Sequence, residues 1–151
     1  MEGAVELRAV RASEYLEADA LVAASGLPLD ELASCREQQF VLHDGVRIVA
    51  TAALEVRGGA AILRSVAVAE ATRGKRYGER IVAHAIDQAR DLELGALYLL
   101  TETAAEFFPR FGFVRQERSA APPAIQESAE YCSVCGSHAI AMVLELTGVL
   151  D

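Results

Sequence analysis

The sequence predicts an α/β (α+β) fold, a mixed and mostly antiparallel sheet flanked by helices. Three observations carry that prediction. Three consecutive β-type runs are joined by two hairpin signals, Asp44-Gly45 and Gly58-Gly59. A helix of clear 3.6-residue periodicity follows, with Ile81, Val82, Ala85, Ile86 and Ala89 on one face. After it comes an unbroken apolar run, ALYLLT, the mark of a strand covered on both faces.

The elements follow in order. Residues 5–10 alternate, with Val5, Leu7 and Ala9 against Glu6, Arg8 and Val10, and read as a first strand. Ser13 is placed to cap a helix running to about Ala24, with Tyr15, Leu16, Ala20 and Val22 or Ala23 on its inner side. Gly26 ends that helix and Pro28 prevents its continuation. A short helical turn fits residues 30–35. The meander strands are residues 39–43, 46–56 and 61–68, with Asp44-Gly45 as a two-residue turn. A long helix covers residues 77–91, a strand 96–101, a short helix 104–110 and a strand 113–116. Pro122-Pro123 opens a helical turn to about Ala129, and residues 138–146 form the last strand.

At 151 residues the chain is expected to form one domain over residues 1–151 and to bury a substantial core. Apolar residues make up 52% and charged residues 24%, as in a soluble globular enzyme. No apolar run has the length of a membrane span, and the first residues lack a cationic segment followed by an apolar one, so a cytoplasmic location without a membrane partner is expected. The net charge of −8 disfavours nucleic acid as a partner. The three cysteines, Cys35, Cys132 and Cys135, are an odd count for a disulfide framework. Cys132 and Cys135 have C-x-x-C spacing with His138 nearby, but a structural zinc site needs four ligands, so no metal is expected; a redox or metalloid-sensing role is the weaker alternative.

The most informative stretch is residues 63–78, LRSVAVAEATRGKRYG. A β-branched apolar run feeds a turn rich in Arg and Gly, which opens the long helix. Free backbone N–H groups at a helix N-terminus cradle anions, so the stretch points to a diphosphate-bearing ligand. Arg73, Lys75, Arg76 and Arg80 crowd this turn of an otherwise acidic chain.

The element order and this motif resemble the GNAT family of acyl-CoA-dependent N-acetyltransferases. The family signature Q/R-x-x-G-x-G/A is matched by Arg73 and Gly78, while Arg76 stands at the middle glycine. A second element, Phe107-Phe108-Pro109-Arg110-Phe111-Gly112-Phe113, is similar to the family's F-Y-x-x-x-G-F. The resemblance implies a splayed pair of parallel strands, residues 63–68 and 96–101, with acetyl-CoA as cosubstrate in the gap. Its pantetheine arm would pair with the backbone of Val66, Ala67 and Val68. Its diphosphate would sit on Arg73, Gly74, Lys75, Arg76, Tyr77, Gly78 and Glu79, with the Arg76 guanidinium offsetting the cost of a side chain at a close-approach position. Phe108 would border the cofactor where many members carry a tyrosine acid. Two branches are similar: the acetyltransferase domain of N-acetylglutamate synthases, and the small acetyltransferases of arsenic-resistance operons, through Leu63-Arg64-Ser65-Val66-Ala67-Val68-Ala69. They imply an amino acid, or an amino-acid-like toxin, as acceptor. A homodimer paired through the C-terminal strands is expected by the same analogy.

Acetyl transfer to an amine needs a base, a donor to the thioester carbonyl, and a route out for the thiolate. Glu102, just beyond a strand end, is the base candidate; it reads equally as a solvated carboxylate at a helix start. Tyr131 or Ser137 is the candidate acid. Arg64, inside an apolar strand, either anchors a substrate carboxylate with Ser65, Thr101 and Ser137 around it, or pairs with Glu55 on the neighbouring strand. The synthase branch places basic residues in the loop after the first helix and near the last strand; here residues 26–32 contain no Lys or Arg and Cys135 falls near the expected arginine, so the resemblance implies an acceptor other than glutamate itself, a smaller or differently charged amino acid. His43, His84 and His138 form no triad with a serine and an aspartate. The alternative function is a catalytically weak acyl-CoA-binding or regulatory protein of the same fold.

Overall fold

In the computed structural model, residues 4–131 and 138–146 are described. They form one seven-stranded sheet: β1 (Glu6–Ala9), β2 (Gln39–His43), β3 (Ile48–Arg57), β4 (Ala60–Val68), β5 (Ala96–Thr101), β6 (Val114–Arg115) and β7 (Ile140–Glu145). The helices are α1 (Tyr15–Ala24), α2 (Tyr77–Asp91) and the short α3 (Pro123–Gln126). The strand order is β1-β2-β3-β4-β5-β7-β6. Every pairing is antiparallel except β4 with β5. That exception follows from the α2 crossover, which returns the chain in the same direction.

Packing explains why these residues make these elements. On one face of the sheet α2 buries Ile81, Val82, Ala85, Ile86 and Ala89 against Phe40, Leu42, Leu63, Leu97 and Leu99. Fully burying each large aliphatic side chain contributes about 1.5–3 kcal/mol. On the other face Ile62, Tyr98 and Val143 pack under Ile125 of α3 and Tyr131. The first helix, α1, covers the β2–β3 end of that face through Ala18 and Val22.

Four local expectations change. Ser13 does not cap α1: it lies inside a 3-10 turn, Ala12–Glu14, Glu14 precedes the helix, and no side-chain cap hydrogen bond forms. Leu16 is 86% exposed, because the helix approaches the sheet through Ala18 and Val22, and a residue two positions before Ala18 points about 200° away from it. The Asp44-Gly45 turn is wider than two residues, since His43 pairs with Ile48. The Asp44 carboxylate accepts hydrogen bonds from the N–H groups of Val46 (2.8 Å) and Arg47 (2.9 Å), and this side-chain turn sets the loop. Residues 104–110 form turns and a 3-10 segment, Phe108–Phe111, instead of an α-helix; Pro109 has no N–H to continue one.

The feature that positions the site is a bulge in β4. Thr51 pairs with Ala67 and Ala53 with Arg64, so Ser65 and Val66 together face Ala52. Ser65 takes a left-handed φ of 58°, strained for a residue with a Cβ. The parallel pairing of β4 with β5 covers only Ala60–Ala96, Ala61–Leu97 and Ile62–Tyr98. Past Ile62 the two strands part, and β4 shows an open backbone edge along Val66, Ala67 and Val68.

Candidate active site

A cavity of about 730 Å³ opens where β4 and β5 part. Its first end is the loop before α2. Val66, Ala67, Val68, Arg73, Gly74, Arg76, Tyr77, Gly78, Glu79 and Phe108 all border the cavity, as their assignment to cofactor binding requires of them; Lys75 does not. Gly74 has φ 93° and Arg76 has φ 64° and ψ 25°, so Arg76 takes the left-handed conformation of the glycine it stands for, at a cost of about 1 kcal/mol. Its side chain is 83% exposed and lies 3.9 Å from Glu79. The first intrahelical bond of α2 runs from Arg80 N–H to the Arg76 carbonyl, so the preceding N–H groups lack helical partners. A Cβ on Gly78 would touch Phe107 and Val68 at 3.5 Å, an ordinary contact. The protein's own packing therefore does not require this glycine, whose bare face adjoins residues of the cavity wall.

These groups fit coenzyme A. An open strand edge suits an amide-bearing arm, and a helix N-terminus with Arg73 and Arg76 beside it suits a diphosphate. Glu79 is held by Arg110 at 2.8 Å, which restrains the acidic side chain at this cationic end. Arg110 also lies over the Phe107 ring at 5.5 Å. Phe107 meets Phe108 and Phe111 edge-on, so the second sequence element is an aromatic wall.

The other end of the cavity is lined by Leu27 and Pro28 after α1, by Arg64 and Ser65 on β4, by Thr101 and Glu102 after β5, and by Glu130. Of the two readings of Arg64, the structure shows the pair with Glu55, at 3.0 Å. Its other nitrogens donate to the Ser65 hydroxyl (3.2 Å) and the Asp30 carbonyl (2.7 Å), and Glu130 lies 3.5 Å away. Burial alone would push the Glu55 carboxyl up; hydrogen bonds from Arg57, Ser128 and Arg64 outweigh it, so the carboxyl titrates below its ordinary range. Thr101 Oγ1 accepts from the Ala104 N–H at 2.9 Å, which fixes the turn after β5. That turn sets the exposed Glu102 at the cavity rim.

Tyr131 is a correction. It does not border the cavity: its ring is buried among Ile62, Tyr98 and Ile125, and its hydroxyl has no hydrogen-bond partner among the described residues. Burial pushes this phenol up. The side chain completes the apolar layer under α3, which is why it turns away from the site. Ser137, Cys132 and Cys135 lie outside the described residues, so the roles assigned to them have no structural counterpart here. His138 is exposed and away from the cavity; His43 accepts from the Gly45 N–H within its hairpin; His84 packs edge-on against Phe40.

Glu130 is the site residue that sequence reading missed. No local pattern marks it, because it reaches Arg64 across 66 residues of chain.

Comparison with known proteins places these observations. A family model described as an acetyltransferase (GNAT) domain matches residues 35–115. No curated protein matches the chain. Among solved structures, N-acetylglutamate synthase from Neisseria gonorrhoeae, complexed with coenzyme A and N-acetyl-glutamate, is 20% identical with a TM-score of 0.81, over 97% of this chain. The chain spans about a third of that protein, 36%. Rv2747 from Mycobacterium tuberculosis, in complex with CoA and NLQ, is 27% identical with a TM-score of 0.79, over 94% of this chain and 99% of its own. The ribosomal-protein-S18-alanine N-acetyltransferase from Escherichia coli is 17% identical with a TM-score of 0.71, over 95% of both chains.

Proposed function

The chain belongs to the GNAT family of N-acetyltransferases, whose cosubstrate is acetyl-CoA, and from that premise we propose that it acetylates the amino group of an amino acid or an amino-acid-like toxin. The observation that carries this reading is the parting of β4 and β5 beyond Ile62, beside the basic turn that opens α2. The whole chain, residues 1–151, acts as one catalytic unit in this reading. It forms homodimers through the C-terminal strands, where Val114 is 60% exposed on the outermost strand β6.

In this reading acetyl-CoA lies along Val66, Ala67 and Val68 with its diphosphate at the loop of residues 73–79. The acceptor enters from the side of Leu27 and Pro28. A water-mediated or direct contact lets Glu102 take the proton from the acceptor ammonium, and the free amine attacks the thioester carbonyl. A backbone N–H near Val66 donates to the carbonyl oxygen as negative charge develops on it. The C–N bond forms, the C–S bond breaks with its electron pair leaving on sulfur, and the extra proton of the attacking nitrogen passes to solvent or to the departing thiolate, giving the amide and CoA. Phe108 offers no hydroxyl to protonate that thiolate; a thiolate is a good enough leaving group to go without a dedicated acid. Ser65 and Thr101 border the acceptor, and Ser137 is kept as a further acceptor contact from the sequence alone.

The test is titration of acetyl-CoA into the purified protein by calorimetry, followed by an amine screen led by amino acids and their arsenic and phosphinic analogues. Micromolar binding with turnover is the expected result. Binding without turnover on any amine would leave an acyl-CoA-binding or regulatory role. Absence of binding would overturn the cosubstrate assignment for this chain.

A further inference from the structure

All fourteen lysines and arginines of the chain fall within the described residues, and four of them border the cavity: Arg64, Arg73, Arg76 and Arg110. Arg73 and Arg76 belong to the loop before α2, and Arg110 pairs with Glu79 there. Arg64 is thus the one cation at the acceptor end. Its side chain has no exposed surface. Each of its three nitrogens already donates, to Ser65, Glu55 and the Asp30 carbonyl. It lies between two buried carboxylates, Glu55 at 3.0 Å and Glu130 at 3.5 Å, and Arg57 binds the far oxygen of Glu55 at 2.7 Å. Two cations and two anions balance, which leaves no positive charge over for a ligand. The carboxylates that border the cavity at this end are Glu130, itself 6% exposed, and Glu102 at the rim.

An acidic side chain brought here would be stripped of water next to these carboxylates, with its one possible cation already committed. A neutral or cationic side chain meets no such cost, and a cationic one gains. We infer that Glu130, held in place by Arg64, is a specificity-determining residue that excludes acidic acceptors, so that this enzyme takes neutral or basic amino acids. This rests on the acetyltransferase reading above and names the charge class of its acceptor. Discrimination arises from a repulsive element built into the pocket, which is how affinity differences between near-isosteric ligands are commonly made.

The experiment compares L-glutamine, L-lysine and L-glutamate, isosteric or nearly so but of different charge, titrated by calorimetry into the wild-type protein saturated with CoA and into Glu130→Gln. The expected result is glutamate binding at least about tenfold weaker than glutamine in the wild type, with the gap narrowing to about threefold or less in Glu130→Gln. An unchanged affinity of the variant for CoA reports an intact fold. Glu130→Asp, which keeps the charge, retains the preference and serves if the glutamine variant does not fold. Equal binding of glutamine and glutamate by the wild type, an unchanged gap in Glu130→Gln, or binding of none of the three would overturn the inference while CoA binding still supports the enzyme class. Should CoA itself fail to bind, the class assignment falls, and the same titrations into the free protein still report the charge preference.

Discussion

The loop end of the cavity is built mainly from one continuous stretch, residues 66–79, whereas the acceptor end joins side chains from four separate segments of the chain. The loop end tolerates a large change: Arg76 stands where a glycine is expected, takes φ 64°, and sends its side chain into solvent. The acceptor end has no such slack. Arg64, Glu55 and Glu130 are each at most 6% exposed and depend on one another for charge balance. A backbone site at a helix terminus survives side-chain exchange, while a buried ionic cluster is disturbed by the loss of any member.

The largest expected effect tests that contrast directly. Replacing Arg64 with Met leaves two buried carboxylates, Glu55 and Glu130, with Arg57 as the remaining cation beside Glu55, and the protein is expected to lose about 3 kcal/mol. Thermal denaturation would show a fall of roughly 10 °C. A fall of only a degree or two would mean that both ends are equally tolerant. Next, Glu102→Gln is expected to lower kcat by about a hundredfold and to change the pH–rate profile. Retention of the full pH–rate profile would remove Glu102 from the role of base.

Acid separates regions by their carboxylates. Glu55 is depressed below its ordinary range, and Glu14, gripped by both terminal nitrogens of Arg8 at 2.8 and 2.7 Å, is lowered to about 2. A depressed carboxyl contributes stability that is complete above its unfolded value and is lost as pH falls toward its folded value. The melting temperature is therefore expected to drop as pH falls from about 5 to about 3, and Glu14→Gln is expected to flatten the most acidic part of that curve. An identical pH dependence in Glu14→Gln would show that this pair does not matter to folding.

Smaller effects sharpen the loop end. Arg76→Gly is expected to stay within about 1 kcal/mol of wild-type stability, because relief of the left-handed strain offsets the added freedom of the unfolded chain. Acetyl-CoA binding is expected to weaken severalfold, and more at low salt than at high. Tighter binding by the glycine variant would show that Arg76 obstructs the cradle. Smallest is Tyr131→Phe, which removes a buried hydroxyl with no partner among the described residues and is expected to leave kcat within about twofold and stability unchanged or slightly raised. A large loss of kcat would return Tyr131 to the chemistry.

Legibility in the sequence followed the range of the forces involved. The helix Tyr77–Asp91 and the strands Gln39–His43 and Ala96–Thr101 lie where periodicity put them, since their apolar faces are written into consecutive residues. The face of α1 did so only at Val22, because Ala18 and Val22 decide its contact with the sheet and leave Leu16 and Ala20 exposed. The loop of residues 73–79 was visible because Gly, Arg and a helix start stand side by side. Arg64 was visible as an anomaly, a cation in an apolar strand, while its three-way commitment was not.

The sequence by itself determined the element order, the mixed sheet and the Arg- and Gly-rich turn before the long helix. These depend on local propensity and on the period of apolar residues, which neighbours in the chain specify. Tertiary structure alone decided which side chains meet at the acceptor end. The bulge at Ser65 and Val66 parts β4 from β5, and chain closure brings Glu130 to Arg64, Asp30 to the same guanidinium and Tyr131 into the core. Contacts across dozens of residues leave no periodic trace, because burial fixes them only after the sheet has formed.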